Sequence, residues 1–358
     1  MQTYLDHNAS SPLRPEARAA MAAAMDVTGN PSSIHAAGRA ARALVEQARE
    51  QVAALVGARP QDVIFTGSGT EANNQAVASL RTRGLRVSSI EHEATLAADP
   101  EQPRWLAQRN GQVFPPASWP SEIGAVALMA ANNETGVLQP LGPWHDAVKA
   151  SQALLFVDAV QAAGKIDLAD LGDLVSLSAH KLGGPAGVGA LVVKPGLEVA
   201  AFIRGGGQER RRRAGSENLI GIAGFGAAAA ASLAERQRGH WDAVQRWREA
   251  LEARMRDAAP ALTIAGLDAP RLPHTLCFYA APAKVAALQL MHYDLVGIAV
   301  SSGAACSSGK VQPSHVLQAM GVSAQEAATA IRVSLGWNSQ ERDLDRFFDA
   351  WRGLLTSS

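Results

Sequence analysis

The chain has 358 residues, 47% of them hydrophobic and 18% charged, a balance that supports one or two globular domains and excludes a disordered or fibrous chain. Thirty-three basic residues offset thirty-three acidic ones. No net field therefore draws the protein towards nucleic acid or an anionic membrane, and neither partner is expected.

The first residues carry Asp6, His7 and Arg14 and no apolar run of the signal-peptide kind, so no signal peptide is expected. Short apolar runs then alternate with amphipathic stretches. Asp62–Thr66, Leu85–Ile90, Ala125–Ala130, Leu154–Asp158, Leu174–Ser178 and Val188–Val193 read as strands, and the alternation predicts an α/β domain with a largely parallel sheet. Ligands of such sheets sit beyond the carboxyl ends of the strands, where Asp158 and Ser178 stand. Past Ser216 comes an Ala-rich stretch, Leu219–Ala234, shorter than the ~20 residues a membrane span needs and read as a buried or interface helix. A helix over His240–Ala258, strands near Thr275–Tyr279 and Ile331–Leu335, and an amphipathic helix near Gln340–Leu355 complete a smaller α+β domain. The expected division is an N-terminal arm over residues 1–14 packed on the small domain, a large domain over 15–238, and the small domain over 239–358.

The chemistry concentrates in a few places. In Ser176–Gly189, Lys181 follows a strand end and enters a glycine-rich turn. A lysine there can lose its charge by burial and form a Schiff base, although alone it reads more often as a solvated surface lysine, and its companions change that reading. Asp158 ends the preceding predicted strand, with Gln161 beside it. A carboxylate so placed suits the ring nitrogen of a pyridine cofactor, which it keeps protonated and electron-withdrawing. Phe65–Asn74 supplies a strand, a glycine turn and a helix start with the Thr70 hydroxyl, a pattern that cradles a phosphate. The same turn, Gly67-x-Gly69-x-x-Ala72 with acidic Glu91 about 20 residues on, also fits a dinucleotide fingerprint and leaves a nicotinamide-dependent oxidoreductase as the rival reading.

Taken together, Tyr4–Ala9, Asn30–His35, Thr66–Asn74, Glu91-His92, Asn132–Gly136, Val157–Gln161, Ser178–Lys181, Gly205–Glu209 and Ser301–Gly309 resemble the cysteine desulfurases, in order and over nearly the whole chain. These are enzymes of the class V aminotransferase group with the type I pyridoxal-phosphate fold. The resemblance implies conversion of L-cysteine to alanine with pyridoxal 5'-phosphate, the sulfur passing as a persulfide to Cys306 and on to an acceptor or scaffold protein, as in iron-sulfur cluster assembly. It implies that Lys181 holds the cofactor and moves the substrate's α-proton, that His92 lies over the ring, and that Asp158 and Gln161 meet the ring nitrogen and phenolic oxygen. Gly69, Thr70, Ser178 and His180 would hold the phosphate, with Ser216 reaching in from the second subunit of a homodimer. Asn133, which also borders the cofactor, would join Arg332 and Asn8 at the substrate carboxylate, for which a guanidinium fork is the natural partner. Selenocysteine lyase, or another class V activity, is the alternative within the enzyme class.

Only two cysteines occur, far apart, so neither a disulfide framework nor a paired-Cys zinc site is supported; no metal is expected, and a reducing, cytoplasmic setting is the default. Cys306 stands among Ser, Gly and Ala with Lys310 nearby, a composition that reads as a mobile exposed loop, suited to attacking a substrate sulfur and carrying the persulfide outwards. Cys277 sits in an alternating strand pattern and reads as a core residue. Two departures from the family are expected to matter. The stretch between His92 and Asn133 is short enough to lack an outer helix, and no longer tail follows the final helix, which leaves the sulfur acceptor open. Arg210–Arg213 reads as solvated, dimer-facing or phosphate-proximal charge rather than a nucleic-acid patch.

Overall fold

The computed structural model describes residues 2–168, 172–303 and 313–356. Its strands in chain order are β1 (Thr3–Tyr4), β2 (Val63–Thr66), β3 (Leu85–Ser88), β4 (Arg104–Trp105), β5 (Ala125–Met129), β6 (Leu154–Asp158), β7 (Leu174–Ser178), β8 (Gly189–Val193), β9 (Thr263–Ile264), β10 (Thr275–Tyr279), β11 (Ile298–Ala299), β12 (Ser301–Ser302) and β13 (Ile331–Ser334).

Seven of them form one sheet in the order β2-β8-β7-β6-β5-β3-β4, in which β8 alone runs against the rest. The fold is thus α/β with a mostly parallel central sheet and flanking helices, as the alternation predicts. Every residue of β2, β5, β7 and β8 is buried, which is why these strands read as near-continuous apolar runs, interrupted in mid-strand only by the buried Ser176 of β7: helices cover both faces and leave no polar side. The edge strand β4 escapes the sequence reading because two residues after a proline carry no periodicity. Between Leu96 and Leu141 no helix occurs among the described residues, so the short stretch does lack an outer helix.

The helix Leu219–Gln237 is long and apolar enough to cross a membrane by composition alone. Here it buries Ile222, Phe225, Ala228 and Ala229 against the helices Pro15–Met25 and Ala36–Leu55. A second apolar core gathers Trp241, Leu251, Phe278, Phe347 and Trp351 around the antiparallel sheet β12-β13-β10-β9. The N-terminal segment belongs to this second body: β1 pairs in parallel with β11, Asp6 bridges to Ser334, and Leu5 is fully buried in the same core.

Candidate active site

The parallel strands β5 and β6 stop together, with Met129 opposite Asp158, and β7 runs two residues further, past Ser176 opposite Asp158 to Ser178. Their carboxyl ends open onto a cavity of about 510 Å³. It is lined by Asn8, Gly69, Thr70, His92, Asn133, Asp158, Gln161, Ser178, His180, Lys181 and Arg332, so residues from six of the segments that carry the resemblance meet with Arg332 in one place. Two do not join them. Ser216 is exposed and lines a separate, smaller cavity that shares only the Gly187-Val188 wall, and Cys306 lies outside the described residues.

One wall is the start of the helix Gly69–Leu80. The Ser68 side chain caps it by accepting the Glu71 amide at 3.0 Å, leaving the first amides and the Thr70 hydroxyl at an electropositive helix end facing the cavity. This turn presses so closely on β8 that a Cβ on Gly189 would lie 2.5 Å from the carbonyl carbon of Ser68 and 2.7 Å from the amide nitrogen of Gly69. Only glycine leaves room there.

Asp158 is 5% exposed and fixed at both oxygens: Asn73 Nδ2 donates to Oδ2 at 2.6 Å and the Val160 amide donates to Oδ1 at 2.9 Å. Asn73 was not among the expected site residues. It lies one helical turn beyond Gly69, on the same face, and that spacing is the signal that could have found it. Gln161 donates from Nε2 to the Asn8 carbonyl, while its Oε1 is buried without a partner. Lys181 Nζ donates to the carbonyls of Asn8 and Ala9.

The two cavity histidines are held neutral. His92 caps the short helix Glu93–Leu96 by accepting the Ala94 amide at Nδ1, so its proton sits on Nε2. Burial lowers its pKa, against the pull of Asp158. For His180, burial and then the Lys181 charge depress the pKa to about 4. Behind Lys181, Lys165 is 8% exposed and pushed down to about 7, chiefly by burial and then by Lys181 and Arg14.

From the opposite side β13 delivers Arg332, 2% exposed, whose fork donates to the Asn133 carbonyl at 3.1 Å and to Asp6 Oδ1 at 2.8 Å; its Nε is buried without a partner. Asn8 reaches the cavity wall, but its side-chain amide is engaged by the protein: Nδ2 donates to the Asn133 carbonyl and Thr275 Oγ1, and Oδ1 accepts from His274 Nε2 at 2.8 Å. It anchors the Asn133 turn to β10.

The dinucleotide reading does not survive this geometry. Glu91 is 0% exposed and accepts from Ser88 Oγ and the Met129 amide, so it cannot meet a ribose. Three of the four arginines of the basic run are likewise engaged: Arg210 and Arg212 donate to the Gln61 carbonyl and Arg213 pairs with Glu71. Cys277 is a fully buried core thiol, pushed up to about 12 by burial.

Comparison with known proteins shows the family. The profile of the aminotransferase class-V family matches residues 3–347. The cysteine desulfurase IscS of Dictyoglomus turgidum is 36% identical over 99% of this chain and 94% of that protein. A cysteine desulfurase of Sinorhizobium fredii is 38% identical over 96% and 94%. Among solved structures, a NifS-like protein from Rickettsia africae superposes with a TM-score of 0.90 at 32% identity, covering 99% of this chain and all of that one. This chain therefore belongs to the aminotransferase class-V family and, within it, to the cysteine desulfurases.

Proposed function

We propose that the protein is a pyridoxal 5'-phosphate-dependent cysteine desulfurase that moves sulfur from L-cysteine to Cys306 and releases alanine. The observation that carries this reading is the meeting, around one cavity, of Lys181, a doubly anchored Asp158, the Gly69-Thr70 helix start and Arg332. The residues fit the cofactor. The helix end with Ser178 and His180 suits a phosphate, Asp158 a protonated ring nitrogen and Lys181 an aldehyde carbon, and Gln161 and His92 border the ring. When bound, the cofactor supplies an electron sink for charge developed at the substrate's Cα.

The protein's own groups do the rest. Arg332, held by Asp6 and the Asn133 carbonyl, binds and orients the substrate carboxylate, with Asn133 beside it. Lys181 moves the proton at Cα, and its neutral neighbours His92 and His180 add no competing charge. The Cys306 thiolate attacks the substrate sulfur. The S–S bond of a persulfide forms as the Cβ–S bond breaks, the electron pair stays on Cβ, and Cβ takes up a proton to give alanine. Ser216, exposed and outside its own chain's cavity, would complete the phosphate site of a second subunit, so the working form is a homodimer. A cytoplasmic setting, with delivery to acceptors such as those of iron-sulfur cluster assembly, is part of the same proposal.

The test is to incubate the purified protein with L-cysteine without reductant and weigh the peptide containing Cys306. One added sulfur atom, absent from Lys181→Ala, supports the reading. Cys306→Ala should keep cofactor and substrate yet release almost no sulfide, and normal release by that variant would sink the assignment.

A further inference from the structure

Glu134 lies in the turn after β5, 3% exposed, and burial pushes its carboxyl up to about 7. A buried carboxyl is costly unless it does something for the fold or the site. Its Oε2 accepts the hydroxyl of Ser314, and the same Ser314 oxygen caps the helix His315–Ala319 by accepting the Leu317 amide at 3.1 Å. Gly303 closes on the same atom: a Cβ there would lie 2.7 Å from Glu134 Oε2 and 3.4 Å from Ser314 Cβ. The neighbouring His315 donates from Nε2 to the Glu91 carbonyl at 3.0 Å, next to the cavity residue His92.

Gly303 and Ser314 flank Cys306 in the sequence, three residues before it and eight after it. We infer that Glu134 is a positioning residue for sulfur transfer: it holds Gly303 and Ser314, the residues that flank Cys306 in sequence, against one carboxylate in the Asn132–Gly136 turn, and so fixes these two points relative to the cavity residue Asn133. The inference rests on the reading of Cys306 as the sulfur acceptor. Glu134 touches neither the cavity nor the reacting atoms, and its contribution is geometric. A reacting group displaced by ~1 Å can lose on the order of 100-fold in rate.

The experiment uses the holoenzyme and separates two readouts. One is the change in the bound cofactor's visible absorbance on adding L-cysteine, which reports the cavity. The other is the single-turnover rate of persulfide formation on Cys306, measured by mass. Glu134→Ala is expected to keep the absorbance change and to slow persulfide formation about 10- to 100-fold. Glu134→Gln, which retains an acceptor oxygen for Ser314, is expected to keep most of the wild-type rate. Should Glu134→Ala not accumulate as folded protein, Gly303→Ala is the second probe, because its methyl pushes the carboxylate aside with the acid still present, and the same slowing is expected. Wild-type persulfide rates in Glu134→Ala or in Gly303→Ala overturn the inference. So does an equal loss of the absorbance change and of sulfur transfer in the Ala and Gln variants, which would mark a structural defect. Absence of persulfide on Cys306 in the wild-type protein is a different result: it removes the activity itself, and the inference with it.

Discussion

Asn73 donates from Nδ2 to Asp158 Oδ2 at 2.6 Å, joining the helix Gly69–Leu80 to the carboxylate at the end of β6. The same nitrogen also donates to Thr95 Oγ1 at 3.2 Å, in the helix that His92 caps. One amide thus sets the relative positions of three parts of the cavity. A hydrogen bond to a charged group contributes about 1.5–3 kcal/mol, so Asn73→Ala is expected to lower kcat about 10-fold and to shift the bound cofactor's visible absorbance. Steady-state alanine production and the spectrum check both, and an unchanged spectrum would show that Asp158 is held well enough by Val160 alone.

Arg332→Lys keeps the charge but loses the planar fork that engages Asp6 and the Asn133 carbonyl at once. The expected outcome is a rise of about 10- to 100-fold in KM for L-cysteine, the equivalent of about 1.5–3 kcal/mol. Asp6→Asn should raise KM in the same direction by less, since it removes only the anchor. A fall in kcat with KM unchanged would place Arg332 at the chemical step instead.

Gly189→Ala should loosen cofactor binding while leaving the catalytic side chains in place. The added methyl meets only backbone, at Ser68 and Gly69, so the turn at the helix start must move. Overpacking of this kind costs about 1–3 kcal/mol. A cofactor affinity equal to the wild type, measured by equilibrium dialysis, would show that this turn does not hold the phosphate.

Glu91 gives a pH prediction. It is fully buried, and its pKa is pushed up to about 8, chiefly by burial, with the Asp158 charge adding to it. Between the unfolded carboxyl's ordinary value and about 8, the folded protein holds a proton that the unfolded chain has lost. Stability from this group is therefore full at low pH and falls as pH rises through that window, by about 1.4 kcal/mol per pH unit. Glu91→Gln removes this dependence. The variant's stability relative to wild type should climb steadily from pH 5 to pH 8 in urea denaturation, and a flat difference would mean that Glu91 is ionised in the fold.

Much of the site was already written in the order of residues. The largely apolar runs ending in Asp158 and Ser178 determined strands whose ends carry chemistry, because a strand buried on both faces is mostly apolar until it emerges at its carboxyl end. The Gly67–Thr70 turn, the Lys181 segment and the Cys306 segment are local patterns, legible without neighbours. Tertiary structure decided what those patterns are attached to. Asp6 and Arg332 stand 326 positions apart, Asn8 and His274 stand 266 apart, and Glu134 and Ser314 stand 180 apart. No periodicity encodes such pairs: they exist only once the N-terminal segment has joined the second core and β13 has come to face the sheet's edge. The same step settled Glu91, whose spacing from the glycine turn suited a ribose ligand until burial at the end of β3 turned its carboxyl inward. Spacing along a chain records which groups can be neighbours on one element, whereas the desolvation and long-range hydrogen bonds that set their charge and aim arise only when the elements pack.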